Sequence, residues 1–192
     1  YEISYSVQDP GTDTLAATED NLPFRDDNGQ LLFRPAGHGA LIMNMNKLKA
    51  DIVFVKNIDN VITEDKLAPT VTYKKVLAAY LVELQKKIFE YQKQLDNPDS
   101  KSFDLYEIIR FVKEKLMISV DENCSAEDLK KLLHRPIRVC GMVKNEGEPG
   151  GGPYWVQNSK GEMRLQIVES SQIDMHNSSQ KMIMENATHF NP

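Results

Sequence analysis

Apolar residues recur at two different periods along the 192-residue chain, and the change of period divides it into three stretches. At the start, Ile3, Tyr5 and Val7 alternate with Glu2, Ser4, Ser6 and Gln8, the two-residue period of a strand. Residues 9–29 are turn-rich and acidic, with Asp26-Asp27-Asn28-Gly29 as a turn ahead of a short strand over 30–34. Leu41, Ile42, Met45 and Leu48 then repeat at three- to four-residue spacing and predict a helix over 39–49. Asp51 opens the run IVFVKN, apolar on both faces apart from its end, the pattern of a central parallel strand covered by helices.

The middle, roughly residues 72–134, is helical throughout. Val76, Leu77, Tyr80, Leu81, Leu84, Ile88 and Tyr91 form one stripe among Lys and Glu, which predicts a long amphipathic helix ended by NPDS. A second helix, FDLYEIIRFVKEKLM, follows Ser102 as its N-cap. A third, AEDLKKLLH, follows Ser125, with Asp128 nearly completing a capping box. These stripes suit a core or an interface far better than a cofactor site. The last stretch returns to mixed structure: a strand over 137–144, a glycine-dense turn, a hairpin with Asn158-Ser159-Lys160-Gly161 at its tip, the strand LQIVES, and a helical QKMIMEN before THFNP. No internal repeat is present. A chain that opens inside a strand and closes on a proline beside polar residues reads as a fragment of a longer fold.

Composition narrows the function classes. Hydrophobic residues at 41% and charged residues at 27% describe a globular chain with a real core. A mean hydropathy of -0.46 and no long apolar run argue against a membrane span. The net charge of -5 argues against nucleic acid as a partner, because such binding rests on clustered Lys and Arg. Cys124 and Cys140 match no metal or redox spacing, and no signal peptide is in view, so the expected compartment is the cytoplasm.

In an open α/β sheet, ligands bind beyond the carboxyl ends of strands. Lys56, Asn57, Asp59 and Asn60 cap the apolar run and are the first candidates. An aspartate there can hold Mg²⁺ and a lysine can offset phosphate charge, whereas an Asx turn needs no ligand and is the simpler reading. In PAGHGA, Gly37 and Gly39 flank His38 ahead of a helix, where backbone N–H groups attract anions; His38 either contacts a base or caps the helix. VKNEGEPGGGP is a lid, a close backbone approach or a surface loop. Glu169, at the end of an apolar strand, either accepts sugar hydroxyls or is an ordinary surface carboxylate.

The order PAGHGALI, a strand ending in KNIDN, GMVKNEGEPGGG and IVESSQID resembles the UDP-sugar pyrophosphorylase group. Its members carry a glycine-rich P-x-G-x-G segment, a strand ending in N-x-D-N and a later V-E-Y-S-E-like segment. TDTLA, PFR, FRPAGHGAL, KNIDN and GEPGGGP together also resemble a bacterial domain-of-unknown-function family with nearly this wording. The likeness covers most of residues 1–60 and 135–192. It implies an α/β, nucleotide-diphospho-sugar-transferase-like (Rossmann-like) mixed sheet flanked by helices, with a helical insertion at about 66–134.

Carried over by position, the resemblance makes Gly37, His38 and Gly39 candidates for base or ribose contact. Asp59 falls on a metal-binding aspartate, with Mg²⁺ as the implied cofactor, and Asn60 on a sugar- or phosphate-side amide. Gly141 and Glu169 fall on the sugar side, with His189 and Asn191 near the substrate. Lys56 or Lys144 is assigned the phosphate charge. The implied ligand is a nucleotide or nucleotide-sugar, and the implied reaction is in-line attack of a sugar 1-phosphate on the α-phosphorus of a nucleoside triphosphate, releasing pyrophosphate.

Two departures bear on this. The Gly-x-Gly-Thr-Arg loop that cradles the triphosphate is nowhere in these 192 residues; in the family it lies upstream of the matching region, so this chain alone is expected to be catalytically crippled. Ser170 stands where the family carries an aromatic, which affects sugar preference. A nucleotide-sugar-binding or scaffold module without activity, with the 72–134 helices as partner surface, is the second expectation.

Overall fold

The computed structural model describes residues 1–98, 103–147, 150–159 and 161–191. It is a mixed α/β structure with five α-helices and three two-stranded antiparallel ladders among those residues. None of the described helices is long and apolar enough to cross a membrane. The chain forms two compact units, Tyr1–Val55 and Lys56–Pro192.

In the first unit, β1 (Thr14–Leu15) pairs with β2 (Phe33–Arg34), and the bridges Ala17↔Pro23 and Arg25↔Leu31 extend the pairing towards the turn. That turn forms as the sequence expects. The Asp26 carboxylate accepts from the N–H groups of Asn28 and Gln30, both at 2.9 Å, and Gly29 takes the positive φ of +76° that glycine tolerates. The helix expected over 39–49 is shorter: a 3-10 turn at His38–Leu41 leads into α1 (Ile42–Asn46). Asn44 ties α1 to the N-terminal segment by donating to Val7 O at 2.9 Å, and Lys47 pairs with Asp9.

Neither Ile3–Val7 nor the run over 52–57 joins a ladder. Val55 is 71% exposed. A strand apolar on both faces needs neighbouring strands at both edges, and the short β1–β2 pair is the only ladder among the described residues of this unit.

The second unit holds the core. α2 (Leu67–Asp96) starts five residues before the expected position, because Pro69 falls in the first turn, where its missing N–H costs nothing. It ends at Asn97, whose φ of -137° leaves the helical region just ahead of Pro98. The expected cap Ser102 lies outside the described residues. Asp104 caps α3 (Leu105–Glu114) instead, accepting from the Glu107 N–H at 3.1 Å. Ser125 caps α4 (Ala126–Leu133) as expected, with its hydroxyl accepting from the Asp128 N–H at 3.1 Å and donating to the Asp128 carboxylate at 2.6 Å.

Leu84, Ile88, Tyr91 and Leu95 recur every three to four residues on α2 and bury against Ile108, Ile109, Phe111 and Val112 of α3 and Leu129 and Leu133 of α4. Tyr91 meets Phe111 edge-on at 5.0 Å between ring centres. Gln92 closes the α2–α4 side by donating to Leu133 O at 2.9 Å.

The remaining elements are β3 (Val143–Lys144), β4 (Gly152–Gln157), β5 (Met163–Val168), α5 (Ser178–Glu185) and β6 (His189–Phe190). β4 and β5 form the expected hairpin. Asn158 Oδ1 accepts from the Glu162 N–H at 3.0 Å, and Gly161 has φ +82°. The strand expected over 137–144 is reduced to Val143–Lys144, paired with β6.

Candidate functional site

Residues opposite one another across a β ladder point to the same face, as do residues two apart on a strand. In the β4–β5 hairpin Gly152 pairs with Val168, which sets Gly151 opposite Glu169 one step further on. On its other side Gly151 bridges Asn191: the Asn191 N–H donates to Gly151 O at 2.8 Å. β6 continues that segment backwards, and there His189 pairs with Lys144 of β3. Glu169, Asn191, His189 and Lys144 therefore share one face around Gly151.

Contacts on the other face confirm the alternation. A Cβ on Gly150 would meet the Phe190 ring at 2.9 Å, and one on Gly152 would meet the Tyr154 ring at 2.7 Å. Both glycines thus point away from Gly151.

Gly151 is buried, and a Cβ there would lie 2.6 Å from Ile167 Cγ2 and 3.0 Å from Glu169 Oε1. Any other residue would drive the carboxylate off the sheet. The glycine run is thus no lid in its described part: Gly150 to Gly152 lead into β4, each packed under a neighbouring side chain, while Glu148 and Pro149 lie outside the described residues.

The Asn191 amide donates to Gly141 O at 2.7 Å, across 50 residues of sequence. His189 Nδ1 lies 2.9 Å from Thr188 Oγ1, and Lys144, Glu169 and His189 are exposed. Past Glu169 the chain makes a 3-10 turn, Ser170–Gln172, where the Gln172 side chain accepts from the Glu169 N–H at 2.9 Å. The Gln172 N–H donates to Glu169 O at 2.9 Å, and the Glu169 and Gln172 side chains form a capping box on this turn, which holds the Glu169 carboxylate where it leans over Gly151. The face carries two cationic or protonatable groups along one edge and a carboxylate along the other. That pattern can neutralise an anion and accept hydroxyl protons from the same ligand.

The other candidates lie elsewhere. Lys56 is exposed, and Asn60 is half-buried in the 3-10 turn Ile58–Asn60, whose Asn60 N–H donates to Asn57 O at 3.1 Å. Asp59 belongs to that turn, and its side chain is outside what the structure describes. No ladder joins the turn to the strand face. Gly37, His38 and Gly39 belong to the first unit. His38 is exposed there, and a Cβ at Gly37 or Gly39 would meet open space, so packing within the unit does not demand either glycine.

Among the described residues no three His, Cys, Asp or Glu side chains gather into a metal cluster. Both cysteines are free and half-buried, and burial, then Asp128 and Asp121, pushes the Cys124 thiol up, away from a reactive thiolate.

The model of the family described as Domain of unknown function (DUF4301) matches residues 1–192, and the chain belongs to that family. No curated protein and no solved structure matches it.

Proposed function

We propose that this DUF4301 member acts on nucleotide-sugars, as a nucleotidyltransferase of the UDP-sugar pyrophosphorylase type that joins a sugar 1-phosphate to a nucleoside triphosphate with release of pyrophosphate. The observation that carries the reading is the shared face. Glu169, His189 and Asn191, assigned to the substrate by the motif resemblance, share one face around Gly151 with Lys144, the candidate for the phosphate charge, and Asn191 ties in Gly141 across 50 residues of sequence. Motifs matched by wording alone have no reason to meet in space.

On this reading Glu169 accepts hydrogen bonds from sugar hydroxyls, charge-assisted and so stronger than neutral ones. Lys144, with Lys56 as the second cation, offsets phosphate charge. Asn191 is committed to Gly141 O and orients the loop carrying that glycine.

Mg²⁺ fits only if phosphate and water complete its shell, since the described residues offer no ready-made cage and Asp59 would be its one carboxylate. Bound so, it would neutralise charge on phosphate oxygens.

The test is pyrophosphate release by the longest natural form of the protein mixed with glucose 1-phosphate, Mg²⁺ and UTP or another nucleoside triphosphate. Release that falls with Glu169→Gln and Lys144→Ala is expected. Ligand binding without release would support a binding module of the same design; neither binding nor release would end the reading.

A further inference from the structure

The same sheet face continues past the polar residues. From the register, Gly151 and Glu169 are followed by Pro153 and Ile167, then by Trp155 and Leu165, all on the side that carries the Glu169 carboxylate. Two residues of strand span about 7 Å, so the backbones of Glu169 and Trp155 lie about 13 Å apart along the strands, with Pro153 and Ile167 between them on the same face. Pro153 and Ile167 are half-buried, while Trp155 is 53% exposed and Leu165 43% exposed. Gly151 adds no side chain of its own at the Glu169 end, where Ile167 and the Glu169 carboxylate cover it.

We propose that Trp155 is the second wall of the sugar site, a stacking platform for the apolar C–H face of a hexose whose hydroxyls Glu169 holds from the opposite side. This rests on the sugar-phosphate reading of the face. A pyranose has what such a site requires: an equatorial rim of hydroxyls and a face of C–H groups. Indole presents a broad apolar surface at little entropic cost, since it has only two rotatable side-chain bonds. An exposed Trp–Leu pair beside a carboxylate also explains why a sheet face outside the core remains apolar. The occupant is therefore a sugar with an unobstructed C–H face, and a bulky axial substituent on that face would exclude it.

Trp155 is the single tryptophan of the chain, so its fluorescence reports on this wall alone. Glucose 1-phosphate and UDP-glucose would be titrated into the protein while calorimetry records binding independently. The expected result is a saturable change in Trp155 emission with the calorimetric midpoint, affinity about three- to tenfold weaker in Trp155→Ala, and recovery in Trp155→Phe. Binding by calorimetry with unchanged emission, and with Trp155→Ala equal to wild type, would overturn the platform while leaving the Glu169 site intact. Absence of binding by either probe in the wild-type protein would overturn both. Helical circular dichroism and melting temperature, compared across the variants, separate a lost contact from a lost fold.

Discussion

The two parts of the Lys56–Pro192 unit are built on opposite principles. In the α2–α4 bundle each buried side chain is apolar except for the phenol of Tyr91, and Ile108, Val112 and Leu129 are fully enclosed. In the strand region Lys144, Glu169 and His189 are exposed, Gly141 and Asn191 are half-buried, and the buried positions include glycines. The helices bury area, and the strands use backbone pairing to fix where a few polar groups point. Stability and chemistry are thus separable, and substitutions in the two regions should fail in different ways.

The sharpest break is in the bundle. Ile108→Ala removes a fully enclosed side chain and should cost roughly 2–5 kcal/mol, read as a lower urea midpoint with loss of helical signal. Gly151→Ala comes next. Forcing a methyl into the 2.6 Å gap beside Ile167 should cost roughly 1–3 kcal/mol and displace the Glu169 carboxylate, so sugar-phosphate binding should fall further than the melting temperature suggests. If binding and stability fell strictly together, the separation of the two regions would be wrong.

Tyr91→Phe should show the smallest effect. It removes the hydrogen bond to the Glu107 carboxylate at 2.8 Å, a net loss of about 1 kcal/mol near neutral pH. Burial first, and the Glu107 hydrogen bond second, push the Tyr91 hydroxyl up to about 12 from an ordinary 10.0. The folded chain thus keeps a proton that the unfolded chain releases. The associated stability is complete below the unfolded value and is lost as pH rises towards the folded one. Denaturant melts between pH 10 and 12 should fall less steeply for Tyr91→Phe than for wild type, with binding at the strand face unaltered.

What was legible in the sequence was whatever is decided locally. The Asp26–Gly29 and Asn158–Gly161 turns and the Ser125 cap each depend on neighbours within a few residues, and each forms, whereas the α2 stripe is buried only from Leu84 on, Val76 and Tyr80 being exposed where no described helix packs over them. Helix starts were less legible, because Asp104 and Ser102 are equally good caps by composition. The ladder partners of residues 52–57 were not legible, since a strand exists only where another lies beside it. The candidate residues of the last third could be named one by one. Their common face became visible only through the Gly151↔Asn191 bridge, a pairing across 40 positions that no local pattern encodes.

The central claim, that the Gly151 face binds a sugar phosphate, is tested most directly by calorimetric titration of glucose 1-phosphate into wild type and Glu169→Gln. The account predicts saturable binding by wild type and an affinity about tenfold or more weaker in Glu169→Gln, as expected for losing a charge-assisted bond, with matching melting temperatures. Equal binding by the two proteins, or none by wild type, would contradict it.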